Sequence, residues 1–326
     1  MSTTRINLVF FYLCGGYLFL NDEVRQRLMA LESLKPYLDL TRIHFFFVWP
    51  LLFCSGLFLS FQVYGGFSWG LVGRAALIAL LGFEAGLVLN DLVDGEVDAR
   101  DVEGSLTRYW RPFGTRPIPV GSVSPGRAGA LFLFLVAGAS ALIYTLPYPN
   151  SVYVFALMVY SYCVEAFYQV KKRDQGAPLA QLLGRTDFSL FPVAGYLCNG
   201  MPDGVALLYF LFFYPFAQAH LGANDIVDAV NDEARGLVTV PIIYGTRGAK
   251  RWIHILTGIH VAVALLFARV HGRVAVVGLG VGLLLLFAAN LLIHRGGSQV
   301  EWLRALPLFH VAMLVYVVSM IADYFV

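Results

Sequence analysis

Two acidic motifs of the same spacing are the residues in this 326-residue sequence best suited to do chemistry. The first occupies residues 90–98 and the second residues 224–232, and both spell N-D-x-x-D-x-x-x-D. Every matched position is displaced by 134 residues (224 − 90), which identifies an internal repeat. The repeat presents six aspartates in two sets of three: Asp91, Asp94 and Asp98, then Asp225, Asp228 and Asp232.

The spacing of each motif places its three carboxylates on one helical face. At about 100° per residue, positions i, i+3 and i+7 fall within about 60° of one another. Acids crowded at the C-terminal end of a helix repel one another and face the negative end of the helix dipole. A hard cation would stabilise them, and Mg²⁺ favours one or two carboxylates together with waters and substrate phosphates. The sequence therefore predicts a site in which Mg²⁺, as cofactor, bridges a diphosphate between two acidic walls at the mouth of a membrane cavity. For either motif alone, solvated acids balanced by nearby arginines are the alternative.

The composition indicates what kind of protein must position these motifs. Hydrophobic residues make up 58% of the chain, charged residues 13%, and the mean hydropathy is +0.69. A soluble protein of this size needs far more polar surface, so the chain is expected to be an integral membrane protein in a lipid bilayer. The net charge of +2 lacks the basic excess of a nucleic-acid-binding protein, and we expect no nucleic-acid partner.

Nine apolar runs are long enough to cross a bilayer as helices. They are residues 43–63, 73–94, 126–146, 151–170, 180–198, 204–224, 251–270, 273–294 and 303–325. The acidic motifs end the second and sixth runs, and the four spans between them bring both motifs to the same side of the membrane. Most of the 23 lysines and arginines fall on that side, which predicts that it is cytoplasmic. In a prokaryote, the membrane would be the cell membrane.

An N-terminal extension, residues 1–41, precedes the first run. Its apolar stretch, residues 6–20, is short for a membrane span and is followed at once by polar residues. An interfacial helix, a tenth span and a signal-like segment all fit this pattern, the last least well.

The motifs and their positions resemble those of the UbiA superfamily of intramembrane prenyltransferases. Residues 116–121, R-P-I-P-V-G, are similar to the family's R-P-I-P-x-G segment after the first acidic motif. Residues 235–241 are similar to the segment after the second, with Val240 in place of a leucine. Tyr160 and the basic residues 171–173 lie where the family has a Tyr-Ser pair and a basic loop. The resemblance covers residues 42–326, which we interpret as a single prenyltransferase domain.

The resemblance implies an all-α integral membrane protein: nine transmembrane helices around a central cavity, a cytoplasmic cap, and two parallel repeats spaced by four helices. It also implies Mg²⁺-dependent transfer of an isoprenyl group from an isoprenyl diphosphate to a lipophilic acceptor, which we expect to be aromatic. The six aspartates would hold the metal and the diphosphate. The residues expected to bind substrate are Asn90, Asn224, Arg116, Lys172, Tyr160 and Arg42.

The chain departs from the family pattern between the first acidic motif and Arg116. Residues 101–114 form an insert that adds Arg108, Trp110 and Arg111, and it predicts a larger cap over the site. Either Arg116 or an inserted arginine could therefore meet the phosphates.

Three further side chains are weaker candidates. Glu84 precedes Asp91 by seven residues, on the same helical face but about 10 Å deeper. It could orient an acceptor hydroxyl or take the released proton, or it could be a buried acid satisfied by a neighbouring helix. His220 lies near the face of the second motif and is expected to be a core histidine rather than a proton acceptor. Arg185, like Arg42, could hold phosphate or simply anchor the cytoplasmic side.

Three other functions fit parts of the pattern. A UbiA-type terpene cyclase would act on the prenyl diphosphate alone. A transferase acting on a glycerol-phosphate lipid would need a second phosphate pocket, which the arginines of the insert could provide. A cation transporter is the non-enzyme alternative, although such carriers more often use inverted repeats with sites near the midplane.

Overall fold

The computed structural model describes residues 32–326, and within that range it contains helices and no strands, which confirms the all-α prediction. Residues 32–40 are helical, and short 3₁₀ turns occupy Ile43–Phe45 and Ala268–Val270. The apolar stretch 6–20 lies outside the described residues. The helices that follow are α1 (Val48–Tyr64), α2 (Trp69–Asp98), α3 (Ser105–Trp110), α4 (Pro125–Tyr144), α5 (Asn150–Lys171), α6 (Leu179–Gly184), α7 (Thr186–Tyr196), α8 (Gly204–Arg235), α9 (Val240–Phe267), α10 (Arg273–Arg295), α11 (Gln299–Leu303) and α12 (Leu306–Asp323).

Eight helical segments in residues 32–326 are long and apolar enough to cross a membrane, as a multi-pass membrane protein requires. They contain α1, α2, α4, α5, α8, α9, α10 and α12. The predicted fifth span, residues 180–198, is instead built from the two shorter helices α6 and α7. These two helices meet at Arg185, so a polar side chain stands where an unbroken span would have continued.

The helices that carry the acidic motifs are longer than their apolar runs. α2 continues past residue 94 to Asp98, and α8 continues past residue 224 to Arg235, so both motifs are helical throughout. The Asp203 side chain caps the start of α8 by accepting hydrogen bonds from two backbone N–H groups, at 2.9 and 2.8 Å. Gly236, with φ of 73°, ends α8 in the left-handed conformation that glycine adopts readily.

Helix packing leaves the two acidic helices on separate sides of a hollow. α1 packs against α2, α7 and α12, whereas α8 packs mainly against α9 and α7. Gly56 of α1 and Gly195 of α7 allow the closest of these crossings, because a methyl group at either position would overlap a backbone carbonyl of the other helix. Small residues serve the same purpose in many membrane helix pairs.

Candidate active site

A cavity of about 230 Å³ lies between the ends of α2 and α8 and is lined by both acidic motifs. Asp94 and Asp98 line it from the first motif, and all three aspartates of the second motif line it from the other side. Asp91 is buried behind Arg111 and does not line the cavity within the described part of the chain. Five of the six motif aspartates are therefore turned toward one hollow, as the spacing predicts, and Asp91 is the exception.

Arg235 links the two motifs directly. Its guanidinium lies 2.9 Å from Asp228 Oδ2 and 3.6 Å from Asp232 Oδ1 in the second motif, and 3.7 Å from Asp98 Oδ1 in the first. The Arg235 side chain is only 5% exposed. One buried cation that reaches acids of both motifs shows that these acids are close enough to share a small ligand.

Basic side chains also neutralise the first motif. Arg111 donates two hydrogen bonds of 2.8 Å to the Asp91 carboxylate, and Arg42 Nη2 lies 3.2 Å from the same group. Burial alone would lower the pKa of Arg111, but the Asp91 charge outweighs burial, and the pKa lies above its usual value. Burial lowers the pKa of Arg42 to about 10, which leaves it charged at neutral pH.

The remaining acids of the first motif have their own partners. Asp94 pairs with Lys172 and, at 3.2 Å, with Arg173. Asp98 pairs with Arg116. Lys172 and Arg116, both predicted from the sequence to bind substrate, line the cavity. Two of the cations that line the cavity are therefore held by carboxylates of the first motif.

Asp225 is the one motif aspartate with no ion pair among the described residues. It is 5% exposed, and its Oδ2 atom is buried without a hydrogen-bond partner. Burying a carboxylate oxygen without a partner costs free energy of desolvation, and a bound cation would offset that cost.

The donor set suits Mg²⁺, because it consists of carboxylate oxygens on facing walls. Within residues 32–326, no three acidic, histidine or cysteine side chains converge as a complete metal site. Arginines and lysines hold the acids instead. Mg²⁺ characteristically takes part of its coordination shell from waters and substrate phosphates, so one or two of these carboxylates would be enough to hold it with a diphosphate.

The insert 101–114 forms part of the roof of this cavity. Arg111 and Trp110 line it, and the insert is fastened to the N-terminal side by Asp39. The Asp39 carboxylate accepts hydrogen bonds from Phe113 N at 2.7 Å and from Thr115 N at 2.9 Å, and its backbone carbonyl accepts one from Arg111 Nη1 at 2.7 Å. The end of the N-terminal extension therefore positions the inserted arginine.

A second set of contacts joins the insert to α8. Trp110 Nε1 donates to Asn224 Oδ1 at 3.2 Å, and Asn224 Nδ2 lies 3.3 Å from His220 Nε2. His220 also contacts His310 of α12, with 2.9 Å between their Nε2 atoms. Because an indole N–H can only donate, Trp110 fixes the orientation of the Asn224 amide. Asn224 is therefore engaged by the roof, while Asn90 donates to Glu165 Oε1 at 2.8 Å.

A second, mainly apolar cavity of about 170 Å³ adjoins the first. Its walls come largely from α2, α5 and α7, with Phe83, Leu157 and Phe191 among the apolar side chains. Residues that line both cavities mark the junction: Arg42, Phe83, Leu87, Asn90, Arg185 and Phe188. The site thus joins a charged chamber to an apolar one.

Two predicted residues stand apart from these cavities. Tyr160 is 39% exposed, and its hydroxyl lies 2.8 Å from Thr186 Oγ1. Glu84 is 5% exposed, and neither of its oxygens has a hydrogen-bond partner among the described residues. Neither residue lines the charged or the apolar chamber.

Two functional candidates escape sequence reasoning. Asp39 has no motif around it, and its importance rests on contacts with residues more than 70 positions away. Arg235 begins the segment that follows the second motif, and nothing in that segment indicates that Arg235 contacts both motifs. Residue spacing predicts which side chains share a face of one helix. It does not predict contacts between segments that are distant in the sequence.

The chain is similar to known proteins in sequence and in fold. The UbiA prenyltransferase family model matches residues 47–314. The chain is 30% identical to a digeranylgeranylglyceryl phosphate synthase of Methanothermobacter thermautotrophicus, over 53% of this chain and 56% of that protein. It therefore spans little more than half the length of this relative.

Two solved structures share the fold. A UbiA homolog from Aeropyrum pernix K1 has a TM-score of 0.70 at 19% identity, over 86% of this chain and 98% of that one. A UbiA homolog from Archaeoglobus fulgidus bound to DMAPP and Mg²⁺ has a TM-score of 0.62 at 17% identity, over 89% and 99%. At such identities the similarity concerns the fold.

Proposed function

The chain belongs to the UbiA prenyltransferase family, and from that premise we propose that it transfers an isoprenyl group from an isoprenyl diphosphate to a lipophilic acceptor within the membrane. The observation that carries the proposal is the facing of the two acidic motifs across one cavity, bridged by Arg235. The adjoining apolar cavity provides room for an isoprenoid beside a charged group. A diphosphate with a hydrocarbon chain matches both chambers.

The finer architecture is part of this proposal. α6 and α7 together would complete a ninth crossing, and α2 and α8 would be equivalent helices of two parallel repeats. The charged chamber would open on the cytoplasmic side, under a cap built from residues 32–46 and the insert. The 134-residue offset of the two motifs and the placement of lysine and arginine residues support this arrangement.

The charged chamber would bind the diphosphate. The five motif aspartates that line the chamber would hold Mg²⁺, which when bound neutralises charge that develops on the leaving diphosphate. Asp91, expected from the sequence to join them, lies behind Arg111. Phosphate oxygens would accept hydrogen bonds from Lys172, Arg116 and Arg235, which would leave their present carboxylate partners. Arg111 of the insert would donate to the phosphate in the same way. Charge-assisted hydrogen bonds to the leaving group lower the barrier to breaking the allylic C–O bond.

The apolar chamber would hold the isoprenoid chain and protect the reacting carbon from water. Its aromatic faces, including Phe83 and Phe188 at the junction, can stabilise positive charge on an allylic carbon. Excluding water favours attack by the acceptor over hydrolysis. The acceptor then supplies the electron pair for the new bond and loses a proton.

Two acceptor classes are proposed. The first is an aromatic ring, as expected from the sequence. The second is a glycerol-phosphate lipid, and the observation that favours it is the 30% identity to a digeranylgeranylglyceryl phosphate synthase.

The test is turnover by the purified protein in detergent or nanodiscs with Mg²⁺. Geranylgeranyl or farnesyl diphosphate is supplied with either geranylgeranylglyceryl phosphate or 4-hydroxybenzoate, and products are identified by mass spectrometry together with lipids that copurify. We expect pyrophosphate release coupled to a prenylated acceptor. A hydrocarbon product without acceptor would replace the proposal with a terpene cyclase, and no Mg²⁺-dependent pyrophosphate release from either donor would refute it.

A further inference from the structure

Arg185 differs from every other basic residue that lines the charged chamber. Arg42, Arg111, Arg116, Lys172 and Arg235 each form an ion pair with an aspartate. Arg185 forms none within residues 32–326, and its Nε atom is buried without a hydrogen-bond partner. The guanidinium carbon lies 5.4 Å from the centroid of the Tyr168 ring, which is a cation–π contact. A partly buried guanidinium without an oxyanion partner is poorly satisfied.

Three carboxylates act on Arg185 through their charge, those of Asp187, Glu165 and Asp225, but none of them forms an ion pair with it within residues 32–326. Glu165 accepts hydrogen bonds from Asn90 and Gln169, and Asp187 accepts one from the backbone N–H of Phe188. Both acids line the apolar chamber, as Arg185 does, yet neither comes within ion-pair distance of it. The N–H donors of the Arg185 guanidinium are therefore available to a ligand that enters the cavity.

The location of Arg185 indicates which substrate it would meet. It stands at the break between α6 and α7 and lines both chambers. Four basic side chains of the charged chamber are already proposed to bind the diphosphate: Arg111, Arg116, Lys172 and Arg235. The junction is where an isoprenoid would pass from one chamber to the other, so its reacting carbon, and the acceptor that attacks it, belong there. Arginine binds phosphate and carboxylate with paired hydrogen bonds.

We propose that Arg185 binds an oxyanion, phosphate or carboxylate, carried by the prenyl acceptor. This inference rests on the proposed prenyl transfer and narrows its acceptors to anionic ones. It also accounts for the interruption of the predicted fifth span, since the break brings a charged side chain to the junction. Neutral acceptors of the same shape should bind more weakly because they leave the guanidinium unpaired.

The experiment measures binding rather than turnover, so that it does not depend on a productive acceptor. The protein is loaded with Mg²⁺ and geranylgeranyl thiodiphosphate, an unreactive donor analogue. Two matched pairs of probes are then titrated: geranylgeranylglyceryl phosphate against geranylgeranylglycerol, and 4-hydroxybenzoate against its methyl ester. Wild type, Arg185→Gln, Arg185→Lys and the exposed control Arg127→Gln are compared.

We expect wild type to bind at least one anionic probe roughly 10- to 100-fold more tightly than the matched neutral probe. This is the range expected when a hydrogen bond between charged groups is gained. Arg185→Gln should remove this preference, Arg185→Lys should keep part of it, and Arg127→Gln should leave it unchanged. Equal affinity for both members of both pairs in wild type would overturn the inference, as would a preference that survives in Arg185→Gln.

The remaining outcomes are also decisive. Weaker thiodiphosphate binding by Arg185→Gln would assign the residue to the donor and overturn the acceptor role. If the glutamine variant does not fold, the lysine variant decides. An anion preference in Arg185→Lys that is smaller than in wild type supports the inference, and an undiminished preference contradicts it. Failure of the proposed function would appear separately, as absence of Mg²⁺-dependent thiodiphosphate binding to wild type.

Discussion

Replacing Asp225 by asparagine should weaken the binding of Mg²⁺ and diphosphate while leaving the stability of the protein nearly unchanged. Asp225 is buried, has no ion pair among the described residues, and keeps one oxygen without a partner. Asp91 is equally buried but receives two hydrogen bonds of 2.8 Å from Arg111 and lies 3.2 Å from Arg42. The two aspartates occupy corresponding positions of the two motifs, so each variant is a control for the other.

The structure sets the size of both effects. Asp91→Asn leaves the buried guanidinium of Arg111 and the partly buried one of Arg42 without their shared carboxylate, and breaking a buried pair in this way costs about 3–5 kcal/mol. Asp225→Asn breaks no ion pair among the described residues, so the free energy of unfolding should change by less than about 1 kcal/mol. Both variants should lose Mg²⁺-dependent turnover.

Thermal unfolding in detergent, with and without Mg²⁺ and pyrophosphate, is the assay. At a pyrophosphate concentration of about 100 times Kd, wild type should gain about 2.7 kcal/mol from ligand binding. Asp225→Asn should unfold near the wild-type temperature without ligand but gain little when ligand is added. Asp91→Asn should unfold several degrees lower even without ligand, and Asp174→Asn, at an exposed position, should match wild type in both conditions.

Two results would refute this reasoning. One is a ligand-free Asp225→Asn protein as unstable as Asp91→Asn, which would mean that Asp225 has a structural partner. The other is full stabilisation of Asp225→Asn by Mg²⁺ and pyrophosphate, which would remove Asp225 from the binding site.

Three further predictions follow from the cap and the apolar chamber. Arg111→Gln should raise the KM for geranylgeranyl diphosphate about 10- to 100-fold, because it removes a charged hydrogen-bond donor from the charged chamber. Arg108→Gln, at an exposed position of the same insert, should leave the KM unchanged. Equal KM values for the two variants in steady-state pyrophosphate release would contradict the role of Arg111. Asp39→Ala removes three hydrogen bonds that hold the segment after α3, so limited proteolysis should cut the insert faster than in wild type, and an unchanged cleavage rate would show that other contacts hold it. Gly86→Leu would narrow the apolar chamber, and competition between dimethylallyl, farnesyl and geranylgeranyl diphosphates should shift toward the shorter donors; an unchanged preference would place the chain elsewhere.

Local spacing predicts the parts of the site that lie on a single helix. The period of an α-helix brings Asp91, Asp94 and Asp98 to one face, and the same period acts on the second motif. The structure shows five of the six motif aspartates turned toward one cavity, with Arg235 in contact with both motifs. The apolar runs likewise predict the eight long helices, because a bilayer requires about 20 apolar residues in sequence.

Contacts between distant segments are what the sequence leaves open. Nothing in the residues around Asp39 signals that its carboxylate fastens the insert, and nothing around Arg185 signals that a span of apolar residues is interrupted there. The choice between Arg116 and an inserted arginine has the same origin. The structure places Arg116 on Asp98 and Arg111 on Asp91, so both are close to the first motif. Pairing of this kind depends on the packing of the whole chain.

The most direct test of the central claim is an experimental structure with Mn²⁺ and geranylgeranyl thiodiphosphate, in which anomalous scattering locates the metal. We expect metal peaks in the charged chamber, with carboxylate ligands from both acidic motifs and diphosphate oxygens between them. Metal bound by one motif only, or a diphosphate bound outside the space between α2 and α8, would contradict it.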